Sequence, residues 1–226
     1  DRIFLVQLAD APQLDLDVLS WSRHFRCFPG QGNLPVQDFM NAVNATGYKG
    51  PLSLEIFNDQ FRAQSTKAVA IDGIRSLMLL DGDGAKGQSV SALRGRSNAS
   101  GVAFVEFAVD QTHAAGLAHL FRELGFRLTG RHRSKGVERW SQGSINLLIN
   151  ASDNSFAQSH YRVHGSGVCA IGLEVDDVTM TMGRADALKA ITFRQPVGPD
   201  EMTIPAIRGV GGSLLYFLEP GSSNWD

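Results

Sequence analysis

Two stretches decide the fold of the first third of this chain: Ile3-Phe-Leu-Val-Gln-Leu-Ala-Asp10 and Gly50-Pro-Leu-Ser-Leu-Glu-Ile-Phe-Asn-Asp59. Each is a short apolar run that ends in side chains carrying oxygen. Continuous apolar runs are typical of parallel strands that are buried on both faces. A loop rich in Gly and Pro and one amphipathic segment lie between them. We therefore predict a β-loop-α-β unit.

The predicted helix covers residues 35–46. Apolar residues at helical spacing mark its buried side, and Gly47 follows where a glycine commonly ends a helix. The residues that set this spacing are Leu34, Val36, Phe39, Met40 and Val43.

Polar side chains stand at the carboxyl ends of both predicted strands, where ligands bind in parallel α/β sheets. Neighbouring strands lie about 4.8 Å apart. If the two strands are adjacent, Gln7 and Glu55 could share one hard divalent cation at about 2–2.6 Å. The competing interpretation is that both are ordinary polar residues at strand ends, since two ligands do not fill an octahedral shell.

The barrel part of the chain is short. Only two β/α units precede residue 80, whereas a closed barrel needs eight. We therefore predict that residues 1–80 are the last two units of a TIM barrel, cut from a longer protein, with the other metal ligands upstream of Asp1. A stretch rich in Gly and Ser at residues 81–101 is typical of a linker.

Composition fits a soluble globular protein. Hydrophobic residues make up 43% of the chain, charged residues 19%, and the net charge is −2. No basic face favours nucleic acid, and no apolar run reaches the ~20 residues of a membrane span. Cys27 and Cys169 show no metal-binding spacing, so we expect free thiols and a cytoplasmic location. The sequence does not decide whether the protein forms a homo-oligomer.

The remaining chain, residues 102–226, reads as two copies of one unit: a strand, a helix and three strands. The strand at 102–109 is followed by a helix at 112–124 and strands at 126–132, 137–140 and 145–150. The second copy has a strand at 168–175, a helix at 180–190 and a closing strand at 213–218. This βαβββ organisation predicts an α+β module.

These motifs resemble two known families. The first region resembles the C-terminal part of xylose isomerase-like barrels of the sugar phosphate isomerase/epimerase group. Trp21–Gly30 and Leu52–Arg62 are similar to the bacterial two-domain 3-dehydroshikimate dehydratases, in which such a barrel precedes a 4-hydroxyphenylpyruvate dioxygenase-like module. His164–Val168 and Arg208–Tyr216 resemble that vicinal-oxygen-chelate module. The resemblance spans nearly the whole chain.

The resemblance implies a metal-dependent lyase that removes water from 3-dehydroshikimate to give protocatechuate. Four donors would hold Mg²⁺, Mn²⁺ or Co²⁺, and Gln7 and Glu55 match two of those positions. Proton loss beside the ketone creates an enolate, which a divalent ion stabilises. Arg26 is a candidate partner of the substrate carboxylate, or else a loop-anchoring ion pair. Ser22 is a candidate for a substrate hydroxyl, and the general base is expected upstream of Asp1.

In the second module, the positions that carry metal ligands in active relatives offer one good ligand. They correspond to Glu106, Asn146 or Leu148, Gly172 and Tyr216. An iron dioxygenase site needs two His and one carboxylate. We expect three histidines of this module, His132, His160 and His164, to lie at a turn or loop rather than on facing strands. We therefore predict a non-catalytic first half, with any metal-bearing half beyond Asp226.

Three functional hypotheses follow. The first is 3-dehydroshikimate dehydratase activity, with that small molecule as the partner. The second is a sugar or hydroxypyruvate isomerase or epimerase, which would share the barrel and the metal. The third places a dioxygenase-like or purely binding role in the second module. The segment Trp21–Gly30 favours the first, and we expect the chain alone to be inactive.

Overall fold

The computed structural model describes residues 2–82, 97–198 and 201–221. The chain divides into two compact units, one formed by residues 1–93 with 187–189 and the other by residues 94–186 with 190–226. No helix within the described ranges is long and apolar enough to cross a membrane.

The first unit contains the predicted β-loop-α-β arrangement. Strand β1 (Val6–Leu8) pairs in parallel with β2 (Leu52–Leu54), and Gln7 lies opposite Ser53. The helices are α1 (Val18–His24), α2 (Val36–Ala45), α3 (Asp59–Ala63) and α4 (Thr66–Gly82). The prediction of a barrel part with two parallel strands is therefore confirmed.

The core of this unit forms where α2 covers the strand pair. Val36, Met40 and Val43 are buried on one face of α2 and pack with Val6 and Leu8. Gly47 follows the helix with a φ of +78°, a backbone conformation that glycine adopts without a steric penalty. The boundaries predicted for this helix agree with the structure to within one residue.

The start of β1 differs from the prediction. We expected Phe4 and Leu5 to be buried on both faces, but they are 83% and 56% exposed, and the strand begins at Val6. The reason is that the ladder to β2 starts at the pair Val6–Leu52, so Phe4 and Leu5 lie before any strand neighbour in the described part of the chain.

The structure also narrows the predicted linker. Helix α4 extends to Gly82, and strand β3 begins at Ala99, although both ends belong to the range 81–101 that we assigned to the linker. Residues 83–96 of that range lie outside the described residues.

In the part of the second unit that the structure describes, one mixed sheet of eight strands is accompanied by three α-helices. Its strands are β3 (Ala99–Ala108), β4 (Arg127–Arg131), β5 (Val137–Gln142), β6 (Ile145–Asn150), β7 (Gly167–Val175), β8 (Thr192–Phe193), β9 (Ala206–Arg208) and β10 (Leu214–Leu218). Its helices are α5 (Gln111–Glu123), α6 (Phe156–His164) and α7 (Val178–Ala187). The strand order is β4-β5-β6-β3-β7-β10-β9-β8.

The sheet order shows the internal repeat. Strands β3 and β7 are the first strands of the two copies and pair antiparallel at the centre of the sheet. Each also pairs in parallel with the last strand of its own copy, β6 or β10. The predicted pair of βαβββ repeats is therefore confirmed.

Helix α6, between the two repeats, was not predicted. Ser155 caps its first turn by accepting a hydrogen bond from the Gln158 N–H at 3.1 Å, and Gly165 ends it with a φ of +75°. His160 and His164 therefore lie on a helix, and their predicted placement on a turn or loop is wrong. The Ser and Gly that flank the segment were the available signals.

Aromatic packing builds the core of the first repeat. Phe121 of α5 is 3% exposed and packs against Trp140 of β5, which is 2% exposed. Their ring centroids are 6.3 Å apart in an edge-to-face arrangement. This packing fixes α5 against one face of the sheet.

Candidate functional site

The candidate site of the first unit lies at the carboxyl ends of β1 and β2. Gln7 is opposite Ser53, and Glu55 comes directly after β2, where its N–H donates to the carbonyl of Leu8 at 3.3 Å. Since side chains alternate along strands, Gln7, Ser53 and Glu55 belong to one face. Gln7 and Glu55 are both exposed, with an offset of two residues between them.

The loop after α1 brings Arg26 to Glu55. The Arg26 Nη1 atom lies 3.4 Å from the Glu55 carboxylate and donates to the Glu55 carbonyl at 3.2 Å. The guanidinium also lies over the Phe57 ring, 4.9 Å from its centroid, a favourable cation–π distance. The loop-anchoring ion pair that we considered for Arg26 is thus present.

Arg26 keeps part of its hydrogen-bonding capacity. Within the described residues, the side-chain hydrogen bonds of Arg26 to Glu55 come from Nη1, so Nη2 and Nε remain available. Its backbone is fixed as well, because the Asn58 amide donates to its carbonyl at 2.8 Å. A planar fork held by its backbone and one nitrogen can still offer two donors to a carboxylate.

Asp10 organises the neighbouring loop, and the sequence analysis gave it no role. Its side chain is almost fully buried, and its two oxygens accept hydrogen bonds from four backbone N–H groups. The donors are Ala11 at 2.8 Å and Gly30, Gly32 and Leu34 at 3.0 Å each. The combination of a strand-end Asp with a Gly-rich loop twenty residues later was the available signal.

Cys27 lies beside this loop and pairs through its backbone with Asp10. Burial, and then the Asp10 charge, raise the pKa of the Cys27 thiol to about 11. Cys169 is buried too, and burial raises its pKa well above the ordinary value. Both cysteines are free, as predicted, and both stay protonated at neutral pH.

Two polar side chains of α1, Ser22 and His24, form hydrogen bonds with neighbouring residues. Ser22, on α1, donates its hydroxyl hydrogen bond to the Leu19 carbonyl at 3.3 Å. His24 is the last residue of α1 and not a loop residue, and its Nδ1 lies 2.8 Å from the Asp59 carboxylate. Neither contact involves Gln7 or Glu55.

The residues present suit a hard cation by chemistry but supply few donors. Gln7 and Glu55 carry oxygen donors, which Mg²⁺ and Mn²⁺ prefer. Asp10 is not available, because its oxygens are occupied by backbone N–H groups. No group of three His, Cys, Asp or Glu side chains suited to a metal occurs among the described residues.

A second polar cluster lies on the sheet of the second unit. Glu106 of β3 is half-buried, and the Asn150 amide donates to its carboxyl group at 2.5 Å. Burial raises the pKa of Glu106, although Asn150 and the Lys135 charge oppose the shift. Burial, followed by the charges of Glu106 and Cys169, also raises the pKa of the Tyr216 phenol.

The other predicted ligand positions of the module either use their polar atoms in hydrogen bonds within the sheet or have no polar side chain. The Asn146 amide donates to the Ala103 carbonyl at 3.0 Å, and its oxygen accepts from Arg139. Gly172 pairs with both Phe104 and Tyr216, and a Cβ atom there would collide with the Phe104 ring. The Phe104 ring therefore occupies the space that a ligand side chain at position 172 would need.

A carboxylate that the sequence analysis missed ties two loops of this unit together. Glu201 accepts from Lys135 at 2.6 Å, from Ser134 at 3.0 Å and from the Gly198 N–H at 2.8 Å. The Lys135 hydrogen bond is the largest cause that lowers the Glu201 pKa to about 2. The carboxylate thus holds the β4–β5 turn against the segment between β8 and β9 throughout the neutral range.

Replacing Glu106 by glutamine should stabilise the protein at pH 7. The folded-state pKa of Glu106 is raised, so its ionisation costs stability as the pH rises above its unfolded-state value near 4.5. Glutamine removes that cost and keeps an acceptor for Asn150. We expect a higher unfolding midpoint temperature at pH 7 and a difference that shrinks below pH 4.5. A variant less stable than the parent at pH 7 would contradict this.

Two family models match the chain. The model described as hydroxyphenylpyruvate dioxygenase, N-terminal, matches residues 96–223. The model described as xylose isomerase-like TIM barrel matches residues 1–79. The two matches therefore fall on the two parts that the sequence and the structure separate.

Relatives with the same arrangement are known. The 3-dehydroshikimate dehydratases of Pseudomonas putida and Pseudomonas aeruginosa are each 46% identical, over 99% and 97% of this chain. A solved xylose isomerase-like TIM barrel/4-hydroxyphenylpyruvate dioxygenase fusion protein is 45% identical, covers 96% of the chain and has a TM-score of 0.88. The chain spans 37%, 36% and 36% of these three proteins.

Proposed function

Because this chain belongs to the hydroxyphenylpyruvate dioxygenase N-terminal family and carries part of a xylose isomerase-like barrel before it, we propose that the full-length protein dehydrates 3-dehydroshikimate to protocatechuate. The proposal rests on the likeness to two dehydratases, which extends through both parts of the chain. The chemistry of the site supports it as well. Gln7 and Glu55 offer oxygen donors at the carboxyl ends of β1 and β2, and Arg26, which pairs with Glu55, offers a guanidinium for the substrate carboxylate.

The barrel part would contribute substrate binding and two metal ligands. Gln7 and Glu55 fit a Mg²⁺, Mn²⁺ or Co²⁺ ion as oxygen donors, and further ligands would come from outside this chain. Such an ion, when bound, supplies a Lewis acid for the charge that develops on the substrate carbonyl. Arg26 would bind the substrate carboxylate through Nη2 and Nε while Nη1 holds Glu55 in place.

The remaining roles are more general. Ser22 would contact a substrate hydroxyl after giving up its bond to the Leu19 carbonyl. The general base that removes the proton beside the ketone is expected upstream of Asp1.

The free, buried thiols of Cys27 and Cys169 favour a reducing compartment, so we propose the cytoplasm.

An assay of the full-length protein tests the proposal. The protein is freed of metal with a chelator, and protocatechuate formation from 3-dehydroshikimate is followed with and without added Mg²⁺, Mn²⁺ or Co²⁺. We expect product that depends on added metal. Absence of protocatechuate together with isomerisation of hydroxypyruvate or a sugar would favour the isomerase hypothesis instead. Product formation without any metal would remove the role of Gln7 and Glu55.

Arg26 provides a prediction on substrate binding. Arg26→Lys keeps the charge but loses the planar fork, so KM should rise more than kcat falls. Arg26→Ala should cost roughly 2–5 kcal/mol in kcat/KM if the pair with the substrate is desolvated. Steady-state kinetics of the full-length protein measure both. Arg62→Ala is a matched control, because Arg62 also pairs with a carboxylate but lies on α3.

The ion pair with Glu55 gives this experiment a second outcome. If Arg26→Ala leaves the kinetics unchanged and lowers the unfolding temperature, Arg26 anchors its loop and has no contact with substrate. The partner of the substrate carboxylate would then have to come from the part of the barrel upstream of Asp1.

A further inference from the structure

Helix α6 carries a pair of histidines that none of the roles above uses. His160 and His164 are four residues apart, so their side chains lie on the same face of the helix. Their ring centroids are 4.5 Å apart with planes inclined at 37°. Two histidines at this spacing on one helix face are a known arrangement for chelating a metal ion.

The ring separation matches shared ligation. With metal–nitrogen bonds of about 2.0–2.1 Å, two imidazoles at roughly 90–110° on one ion have centroids about 4.5–5.2 Å apart. The separation here falls at the right-angle end of that interval. Right-angle positions occur in the tetragonal coordination that Cu²⁺ and Ni²⁺ adopt, whereas tetrahedral Zn²⁺ needs the wider angle.

The surroundings leave the pair free to bind a cation. His24, His113 and His132 each lie within 4 Å of a carboxylate. His160 and His164 have no such partner among the described residues, and the Nδ1 atom of His160 is buried with no hydrogen-bond partner there. A buried, unpaired ring nitrogen costs free energy. A turn of the His160 ring that brings this nitrogen to the solvent side, where His164 is exposed, would remove that cost and let both rings bind one ion.

His160 is half-buried on this face of α6, and the neutral imidazole is the form that binds metals. His164 is exposed and would complete the pair from the solvent side. Water would fill the remaining coordination positions.

We propose that His160 and His164 form a two-histidine site on α6 that binds Cu²⁺, and Ni²⁺ more weakly, with water as the other ligands. The order of the two ions follows the general affinity series for nitrogen ligands. The site is independent of the proposed dehydratase activity, because it involves neither Gln7 nor Glu55.

The test is titration of the full-length, chelator-treated protein with Cu²⁺, followed by calorimetry and electron paramagnetic resonance. We expect one Cu²⁺ ion per chain with nitrogen hyperfine structure from two imidazoles, in addition to any ion that the proposed barrel ligands take up. His164→Ala should lower the affinity at least tenfold and change the nitrogen splitting. His160→Asn, which keeps a polar side chain of smaller size, should do the same, and far-ultraviolet circular dichroism checks that each variant is folded.

His119→Ala is the matched control, because His119 is also an exposed helical histidine, on α5, but has no histidine four residues away. It should bind Cu²⁺ like the parent protein. Equal Cu²⁺ affinity and unchanged spectra in His164→Ala and His160→Asn would overturn the proposal. Dehydratase activity measured on the same samples reports separately on the proposed function.

Discussion

Glu55→Ala in the full-length protein is expected to lower kcat/KM for 3-dehydroshikimate by roughly 10²–10³-fold or more, the scale seen when one group that stabilises developing charge is removed. The reason is that alanine removes the carboxylate that we propose as a metal ligand, two residues beyond Ser53, the strand partner of Gln7. Metal content measured by elemental analysis should fall in parallel. Glu55→Gln should also lose activity, because it keeps the shape but removes the charge.

Gln7→Ala serves as the graded comparison. It removes a neutral donor, so metal binding should weaken less than in Glu55→Ala, and added metal should restore more of the activity. Glu123→Ala, an exposed carboxylate at the end of α5, should behave like the parent. Parental activity and metal content in Glu55→Ala would show that Glu55 is not a ligand.

Because Arg26 pairs with Glu55, a loss of activity in Glu55→Ala does not by itself identify Glu55 as a metal ligand. The Arg26 guanidinium is held by both the carboxylate and the carbonyl of Glu55, and Glu55→Ala removes only the carboxylate. The carbonyl bond survives the substitution, so Arg26 should stay near its position. Loss of metal together with loss of activity separates the ligand role from a mere change in the loop.

The elements that the sequence predicted well are those set by local pattern. Helix α2 follows from apolar spacing and a terminal glycine, and the paired repeats follow from alternating strands and a capped helix. Strand pairing then determines which residues share a face, so the proximity of Gln7 to the Glu55 strand also followed from sequence.

The features that sequence could not supply depend on contacts between distant segments. The Arg26–Glu55 pair joins residues 29 positions apart, and the contacts of Glu201 with Ser134 and Lys135 join residues more than 60 positions apart. Neither set of contacts produces a recognisable pattern in the sequence around the residues involved. Helix α6 is different, because the Ser and Gly at its two ends were visible in the sequence; the helix is only nine residues long and was missed in spite of them.

The Asp10 contacts show how one buried carboxylate can fix a loop that local pattern left undefined. Residues 28–34 have little regular structure, yet three of their N–H groups point at Asp10. Gly32 lies so close that a Cβ atom there would collide with Asp10 and with the Ala11 backbone. Glycine at position 32 is therefore required by the approach of the backbone to this side chain, whereas Gly30 has a φ of +86°, a backbone conformation that favours glycine.

Asp10→Ala should destabilise the protein by about 3–5 kcal/mol, since a charged acceptor is worth about 1.5–3 kcal/mol per hydrogen bond and four such bonds do not add fully. Asp10→Asn should be nearly as harmful. Each Asp10 oxygen accepts from two N–H groups, so an amide leaves two donors facing an NH₂ group whichever way it is turned.

Urea unfolding of the full-length protein, followed by a probe in the barrel, measures the effect as a lower midpoint concentration. Asp15→Ala is the matched control, because Asp15 lies on the same segment but is exposed. Because Cys27 and Arg26 precede the loop, Asp10→Ala should also raise KM for 3-dehydroshikimate by loosening Arg26. Equal urea midpoints for Asp10→Ala and Asp15→Ala would mean that water replaces the lost carboxylate, and that the loop is held by its own backbone contacts.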